Sequence, residues 1–212
     1  MRNLVKYPRS FHLPWSLGAT DDDKTLANVD HFVGKEVVIT EKVDGENTTL
    51  HPDAYCHARS LDSASHESQA WVRALAATMV GNLPANWRVC GENVYAKHTL
   101  AYEALSSYFL TFSIWDGDVS LSWDDVVAYS EMLGLHTVPV LYRGIWDEAA
   151  VKACYTGVSV YGGIQEGYVV RVVDSFNYAD FSISLAKFVR ADHVDKDSKH
   201  WRTQKVIPNK LV

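Results

Sequence analysis

The feature that most constrains this chain is a lysine that follows a run of residues favouring a buried strand. Val37-Val38-Ile39 is apolar and β-branched, which predicts a strand, and Lys42 stands shortly afterwards in the sequence Lys-Val-Asp-Gly. A buried lysine loses its hydration, which lowers the pKa of the amine and makes it a candidate nucleophile. A strand end that turns at Asp44-Gly45 and leaves Lys42 in solvent fits the same residues, because Asp-Gly turns are common.

Hydrophobic periodicity along the rest of the chain predicts strands interrupted by a few helices. Residues 1–35 are expected to form an irregular N-terminal arm with a short helix near Thr25–His31, and Asp21-Asp22-Asp23 to form a solvated turn or helix start. Because helices do not alternate with strands, we expect an α+β fold of mainly antiparallel sheets. Helices are predicted at 65–81, 122–132 and 146–154. Strands are predicted at 36–40, 47–50, 55–59, 87–95, 108–115, 138–142, 166–173 and 182–190.

Composition and charge narrow the class of protein. With 212 residues and 47% hydrophobic content, the chain can form one medium-sized domain with a packed core. The formal net charge of −6 does not by itself predict a nucleic-acid binder. From Lys187 to Val212, however, seven lysines or arginines stand against three aspartates, and such a basic end can contact phosphates.

The cysteines and the hydropathy pattern indicate where the protein resides. Cys56, Cys90 and Cys154 are scattered, odd in number and without the spacing of a zinc site, so reduced thiols are expected. No apolar run reaches membrane-spanning length, and the N-terminus has no apolar signal-peptide core. We therefore expect a soluble, cytoplasmic protein.

Four charged residues lie where the strand pattern predicts burial. They are Lys42, Glu92, Glu166 and Lys187, each flanked by apolar strand residues. A lone charge in a strand usually faces outward, but two lysines and two glutamates in such positions indicate charges that converge in a cleft. Converging charges perturb one another's pKa values and mark functional sites.

The order of these residues resembles that of the covalent nucleotidyltransferases, which include RNA ligases, DNA ligases and mRNA capping enzymes. Lys42-Val43-Asp44-Gly45 is similar to their Lys-x-Asp-Gly nucleotidyl-acceptor motif, and Glu92 falls at the glutamate of their third motif. Phe112 falls on the aromatic strand that follows, Glu166-Gly167 resembles the fourth motif, and Lys187 resembles the fifth. The resemblance extends from about residue 36 to residue 190.

Within that superfamily the chain looks most like the phage-type, nick-sealing RNA ligases, because Asn47 soon follows the motif glycine. The resemblance implies an adenylyltransferase domain (an ATP-grasp-like nucleotidyltransferase) over residues 1–190 and a short basic tail over 191–212, without a separate OB domain. The chain resembles a compact group of RNA-ligase-like proteins found in phages and bacteria. We therefore expect that a phage gene expressed in a host cell could encode it. One departure from the fifth motif is Leu185, where many relatives carry another lysine.

The resemblance implies an ATP-dependent RNA ligase that acts in RNA repair. Lys42 would attack the α-phosphorus of ATP, AMP would pass to an RNA 5′-phosphate, and a 3′-OH would then displace AMP. The amine must be neutral to attack, and burial together with the second lysine is expected to lower its pKa. Glu41 points to the other face of the strand and is not assigned as the base.

The same resemblance assigns roles to individual residues. Catalysis falls to Lys42, Lys187 and Glu166. The nucleotide would contact Thr40, Glu41, Lys42, Arg59, Glu92, Phe112, Glu166 and Lys187. Phe112 would stack on the adenine ring, and Glu92 would bind the ribose hydroxyls. A divalent cation, Mg²⁺ or Mn²⁺, would bind Glu166, Asn47 and Glu92. Candidates for RNA contact are Arg59, Arg190, His193, Lys199 and Trp201, although surface or packing roles suit His193 and Trp201 as well.

Two other functions remain open from the sequence. A non-catalytic RNA-binding or regulatory module that keeps the fold is favoured by Leu185 and by the short segment of about 22 residues after Arg190. A nucleotidyltransferase that uses GTP, or transfers to another acceptor such as DNA, fits the same motifs. The expected partners are RNA with 5′-phosphate and 3′-OH ends and an end-healing kinase or phosphatase.

Overall fold

The computed structural model describes residues 4–62, 66–191 and 205–212. Its strands are β1 (Phe11–His12), β2 (Glu36–Lys42), β3 (Glu46–Leu50), β4 (Cys56–Ala58), β5 (Trp87–Asn93), β6 (Phe109–Asp116), β7 (Val119–Ser120), β8 (His136–Thr137), β9 (Val140–Ile145), β10 (Gly167–Val172), β11 (Phe176–Asn177) and β12 (Leu185–Val189). Its α-helices are α1 (Ala70–Thr78), α2 (Trp123–Met132), α3 (Glu148–Ala153) and α4 (Phe181–Ser184). Within these ranges no helix is both long and apolar enough to cross a bilayer.

The strands form two mainly antiparallel sheets, which confirms the predicted α+β class. The first sheet has the order β1-β12-β10-β2-β9, and only its edge pair β1–β12 is parallel among the pairs described. The second sheet has the order β11-β7-β6-β5-β3-β4, with the short β8 parallel to β6. Since β2 and β3 belong to different sheets, the chain crosses between the sheets at residues 43–45.

The continuous apolar run of β2 is explained by burial on both of its faces. Val38 packs into a cluster with Leu50, Phe109 and other residues of the second sheet. Ile39 packs with Tyr168 and the rest of a separate cluster, because successive side chains of a strand point to opposite faces. A strand covered on both faces reads as an unbroken hydrophobic segment rather than an alternating one. The last residues of β2 therefore lie at the junction of the two sheets.

The N-terminal arm is built into the first sheet. Its strand β1 pairs with β12, and the Trp15 indole N–H donates to the Tyr168 hydroxyl at 2.9 Å. The rest of the arm from residue 4 to residue 24 is irregular, as predicted, so β1 is a local exception to that prediction. The helix predicted near Thr25–His31 is wrong, because a 3₁₀ turn at Asp30–Phe32 is the helical structure there. Val29, the residue before this turn, offers no side-chain cap to support a longer helix.

The other predicted elements are present with shifted ends. The strand predicted at 138–142 runs instead from Val140 to Ile145, and the strand predicted at 182–190 begins only after α4. Helix α2 starts as expected, because Ser122 accepts a hydrogen bond from the backbone N–H of Asp125. The two-residue strands β7, β8 and β11 were not predicted, because two residues are too few to show a hydrophobic periodicity.

Candidate functional site

A cavity of about 240 Å³ lies between the two sheets, at the crossing from β2 to β3. We call it the seam cavity. The first sheet lines it with residues of β2, β10 and β12, and the second with residues of β3, β5 and β6. It brings together predicted residues from separate parts of the chain, namely Thr40, Glu41, Lys42, Asn47, Arg59, Glu92 and Phe112.

Strand pairing brings Glu166 to the predicted nucleophile. Lys42 lies opposite Gly167 in the β2–β10 pair, and the Nζ atom of Lys42 is 2.6 Å from Oε2 of the preceding Glu166. A Cβ atom at position 167 would lie 2.0 Å from the carbonyl oxygen of Phe188. Glycine is therefore required there, because β10 and β12 approach too closely for any side chain.

The Lys42–Glu166 pair determines the charge of the lysine. Burial lowers the pKa of Lys42, but the carboxylates of Glu166 and Glu92 raise it, and the net direction is upward. The expectation that burial and the second lysine lower this pKa is therefore wrong for the ligand-free protein. The ion pair outweighs desolvation, so the amine is held as an ammonium.

The residues after the lysine form a fixed crossing, not a solvated turn. A carboxylate oxygen of Asp44 accepts hydrogen bonds from the backbone N–H groups of residues 99 and 100, at 2.8 and 2.7 Å. The Asp44 N–H donates to the Tyr102 hydroxyl at 2.7 Å. A Cβ atom on Gly45 would lie 2.6 Å from the Asn93 carbonyl oxygen, so close packing against β5 requires the glycine. The alternative of an ordinary strand end in solvent is wrong.

Oxygen atoms from β3 and β5 complete this end of the seam cavity. Asn47 and Glu92 are direct cross-strand partners, and both line the cavity. Burial raises the pKa of Glu92 to about 8, with Lys42 opposing and Glu166 adding to the rise. The Oδ1 atom of Asn47 is buried and has no hydrogen-bond partner among the described residues. Two carboxyl groups and an unsatisfied amide oxygen are ligands that suit Mg²⁺ or Mn²⁺, so the residues present fit a divalent cation.

The other end of the seam cavity is apolar apart from one arginine that the sequence analysis missed. Phe112, Trp123 and Leu185 line it, and the Arg171 guanidinium lies 5.9 Å from the centre of the Trp123 ring. Arg171 donates hydrogen bonds to the carbonyl oxygens of Phe112 and Leu121, and burial lowers its pKa to about 10. A charge inside an apolar strand, the signal that identified Lys187, could have identified this arginine too.

A second cavity of about 290 Å³ adjoins the first and shares Ser10 and Arg59 with it. We call it the arm cavity, because the N-terminal arm provides most of its wall. Its lining residues are Arg9, Ser10, Thr20, Asp22, Asp23, Arg59 and Lys187. The structure therefore places Lys187 in the arm cavity and not among the residues that line the seam cavity. Ser10, Arg9 and Asp23 were not selected from the sequence, because turns give no periodicity to interpret.

Lys187 is paired more loosely than Lys42. Its Nζ atom is 3.7 Å from Oδ1 of Asp23, and its pKa is lowered, mainly by burial and partly by Lys42, with Asp23 opposing. Burial raises the pKa of Asp23, but hydrogen bonds from the N–H and hydroxyl of Thr20, together with Lys187, bring it down to about 2. Asp21 and Asp22 are exposed in a turn, as predicted, whereas Asp23 is turned toward the lysine.

Two further predicted residues, Arg190 and Glu41, make hydrogen bonds with backbone groups. Arg190 lines neither cavity, and its backbone N–H donates to the Glu166 carbonyl at 3.0 Å. The Glu41 carboxylate accepts from the Val160 N–H at 2.9 Å and is thereby directed away from Lys42. Residues proposed from the basic tail fall outside the described ranges: His193, Lys199 and Trp201.

Comparison with known proteins adds a family and a fold. The sequence model of the RNA ligase family matches residues 35–189. The Naegleria gruberi RNA ligase solved with pyrophosphate is 16% identical, with a TM-score of 0.66, and the match covers 90% of this chain and 57% of that chain. A variant of the same enzyme with ATP and Mn is 17% identical, with a TM-score of 0.55, covering 76% and 52%. No curated protein sequence matches. The chain thus spans little more than half the length of these ligases, and the likeness shows a shared fold.

Proposed function

Because the chain belongs to the RNA ligase family, we propose that it is an ATP-dependent RNA ligase that joins 5′-phosphate and 3′-OH ends through a lysyl-AMP intermediate on Lys42. The observation that carries the proposal is the Lys42–Glu166 contact of 2.6 Å at the wall of a cavity that also contains Glu92 and Phe112. Structures of the related Naegleria enzyme with ATP and Mn support ATP as substrate.

In the first step the Nζ atom of Lys42 loses a proton and attacks the α-phosphorus of ATP. A P–N bond forms, the bond from the α-phosphorus to the bridging oxygen breaks, and pyrophosphate leaves. Glu166 opposes this step while it holds the ammonium, because the contact raises the pKa of Lys42. The carboxylate has to be drawn away before burial can favour the neutral amine.

A divalent cation would be held by Glu92 and Asn47, which line this end of the seam cavity, together with Glu166, which contacts Lys42 there. Bound there, it would neutralise the phosphates and compete with Lys42 for the Glu166 carboxylate. The pKa of Glu92 is raised to about 8, and a bound cation would favour the charged carboxylate form of this residue. The base then lies toward the apolar end, against Phe112.

The arm cavity suits the phosphates. Arg9, Arg59 and Lys187 place three cationic side chains beside the seam cavity, and the hydroxyl of Ser10 adds a donor. We assign the leaving pyrophosphate, and later the RNA 5′-phosphate, to this cavity. In the second step an oxygen of that 5′-phosphate attacks the α-phosphorus and the P–N bond breaks. In the third, the 3′-OH attacks the adenylated 5′-phosphorus and AMP leaves.

RNA repair is the context that these ends imply. A ligase that needs a 5′-phosphate and a 3′-OH depends on an enzyme that produces them, so an end-healing kinase or phosphatase is the class of enzyme that supplies its substrate. The three free cysteines suit a reducing compartment such as the cytoplasm.

A sealing assay on nicked duplex RNA tests the proposal. Wild-type protein with ATP and Mg²⁺ should seal a nick with a 5′-phosphate, and Lys42→Ala should not. Lys42→Ala should still seal the same nick when its 5′ end is already adenylated, because the third step does not use the amine. Sealing of the 5′-phosphate nick by Lys42→Ala would contradict the proposal. Lysyl-AMP without RNA sealing would favour transfer to another acceptor, and RNA binding without either activity a non-catalytic module.

A further inference from the structure

The C-terminal segment, residues 205–212, is bound along the connection between β5 and β6. Residues 94–105 of that connection belong to none of the helices or strands given above. Five backbone hydrogen bonds among the described residues join the two segments, with donor–acceptor distances of 2.7–3.1 Å. The C-terminal segment lies beyond residue 189, where the match to the RNA ligase family ends. These contacts are therefore made by a part of the chain outside the matched family segment.

Asn209 fixes the path of this connection through its side-chain amide. The residue is 4% exposed, and its Oδ1 atom accepts from the Tyr102 N–H at 2.9 Å. Its Nδ2 atom donates to the carbonyl oxygens of Val94 and Ala96, at 2.8 and 3.4 Å. Residues that form neither a helix nor a sheet depend on such bonds for their position, because a buried backbone group without a partner costs free energy.

The same connection holds the residue two places after Lys42. The Tyr102 hydroxyl accepts from the Asp44 N–H at 2.7 Å, and the N–H groups of residues 99 and 100 donate to the Asp44 carboxylate. Asp44 is therefore held at both its backbone and its side chain by residues of the connection. A shift of the connection would move the end of β2, where Lys42 lies.

We propose that Asn209 is a positioning residue for the attack of Lys42 on ATP. It fixes residues 94–105, which hold Asp44, and thereby fixes the crossing at which Lys42 lies. This inference rests on the proposed function for the identity of the reaction. Asn209 lines neither cavity, so it should affect the rate of lysyl-AMP formation and not the affinity for ATP. A displacement of about 1 Å between reacting groups can slow a reaction about 100-fold.

The first test is the single-turnover rate of lysyl-AMP formation by the full chain with Mg²⁺. Asn209→Ala should slow this rate about tenfold, while the dissociation constant of ATP measured without divalent metal changes less than about twofold. Glu103→Gln is the matched control, because it breaks an exposed pair with Lys210 that joins the same two segments at 2.5 Å, and it should change neither quantity. A wild-type rate in folded Asn209→Ala, or a rate loss explained by weaker ATP binding, would overturn the proposal.

A double-mutant cycle tests whether Asn209 acts through the contact with Asp44. Tyr102→Phe removes only the hydroxyl that accepts from the Asp44 N–H. If the two residues act along one path, the double variant should be slowed no more than about twofold beyond the slower single variant. Rate losses that multiply would show independent effects and would overturn the path through Asp44. Asn209→Ser replaces Asn209→Ala in each measurement if the alanine variant does not fold.

Hydrogen exchange provides a readout that does not depend on catalysis. In Asn209→Ala the amide hydrogens of residues 44, 99 and 100 should exchange at least about fivefold faster, whereas those of residues 37–39 in β2 should be unchanged. A uniform increase along the chain would indicate only a loss of global stability and would overturn the proposal. Absence of AMP on the wild-type protein would defeat the proposed function. Faster exchange with an unchanged rate of AMP attachment would defeat only the positioning role.

Discussion

The seam cavity and the arm cavity hold their lysines in different ways. Lys42 is paired with Gly167 between strands β2 and β10, and its Nζ atom lies 2.6 Å from the carboxylate of the preceding residue, Glu166. The Nζ atom of Lys187 lies 3.7 Å from the carboxylate of Asp23, a residue of an irregular turn. The tight pair raises the pKa of Lys42, and the loose pair leaves the pKa of Lys187 lowered by burial. Lys42 is therefore held as an ammonium until Glu166 is engaged elsewhere, while the longer contact with Asp23 leaves Lys187 better able to pair with an anion.

The largest effect is expected from breaking the tight pair. Glu166→Gln should slow formation of lysyl-AMP at least about 100-fold, the scale typical of losing one group that stabilises charge in a transition state. In the metal-free protein the same change should make Lys42 react faster with an amine-selective acylating reagent at pH 7, because the partner that raises its pKa is gone. Single-turnover labelling and peptide mapping measure the two effects.

Glu148→Gln is the control for this experiment, because it alters an exposed pair with Lys152 that also spans 2.6 Å. It should change neither rate. Lysyl-AMP formation at the wild-type rate in Glu166→Gln would show that the tight pair has no part in the chemistry.

A smaller effect is expected on stability: a substitution at the crossing from β2 to β3 should destabilise the protein more than a substitution in the arm cavity. Asp44→Ala removes an acceptor from two backbone N–H groups near Leu100 and should lower the free energy of unfolding by about 2–3 kcal/mol. Asp22→Ala, an exposed carboxylate of the arm cavity, should change it little. Urea unfolding measures the free energy of unfolding of both variants. Equal losses would show that the crossing beside the seam cavity is no more rigidly held than the arm cavity.

The smallest effect concerns pH. The pKa of Asp23 is lowered from 3.8 to about 2, so its charged form stabilises the folded state at pH values above about 4, and this contribution is lost as the pH falls through about 2. The stability advantage of wild type over Asp23→Asn should therefore shrink as the pH falls below about 4. Urea unfolding at several pH values tests the sign, and an advantage that grows below pH 4 would refute the assigned contacts of Asp23 with Thr20, Lys187 and His12.

The sequence predicts the two cavities unequally. Lys42, Glu92 and Glu166 stand in or beside apolar strands, where a charge among buried neighbours is visible in the residue pattern. Arg9 and Asp23 belong to the N-terminal arm, whose turns have no periodic pattern of hydrophobic residues. Their positions follow from the pairing of β1 with β12, a contact between opposite ends of the chain that no local pattern encodes.

The charge state of Lys42 illustrates a second way in which the sequence-based prediction fails. The apolar strand pattern predicts that Lys42 is buried, and burial alone lowers the pKa of a lysine. The direction reverses because Glu166, far away in sequence, lies at hydrogen-bond distance. Composition and spacing indicate which groups meet, but the sign of a pKa shift depends on distances between side chains.

The most direct test of the central claim, that Lys42 is the nucleophile, is intact-mass analysis of the protein after incubation with ATP and Mg²⁺. The account predicts that wild-type protein gains the mass of one AMP, that peptide mapping places it on Lys42, and that Lys42→Arg gains none. AMP attached to a different residue, or no adduct on folded wild-type protein that binds ATP, would contradict the account.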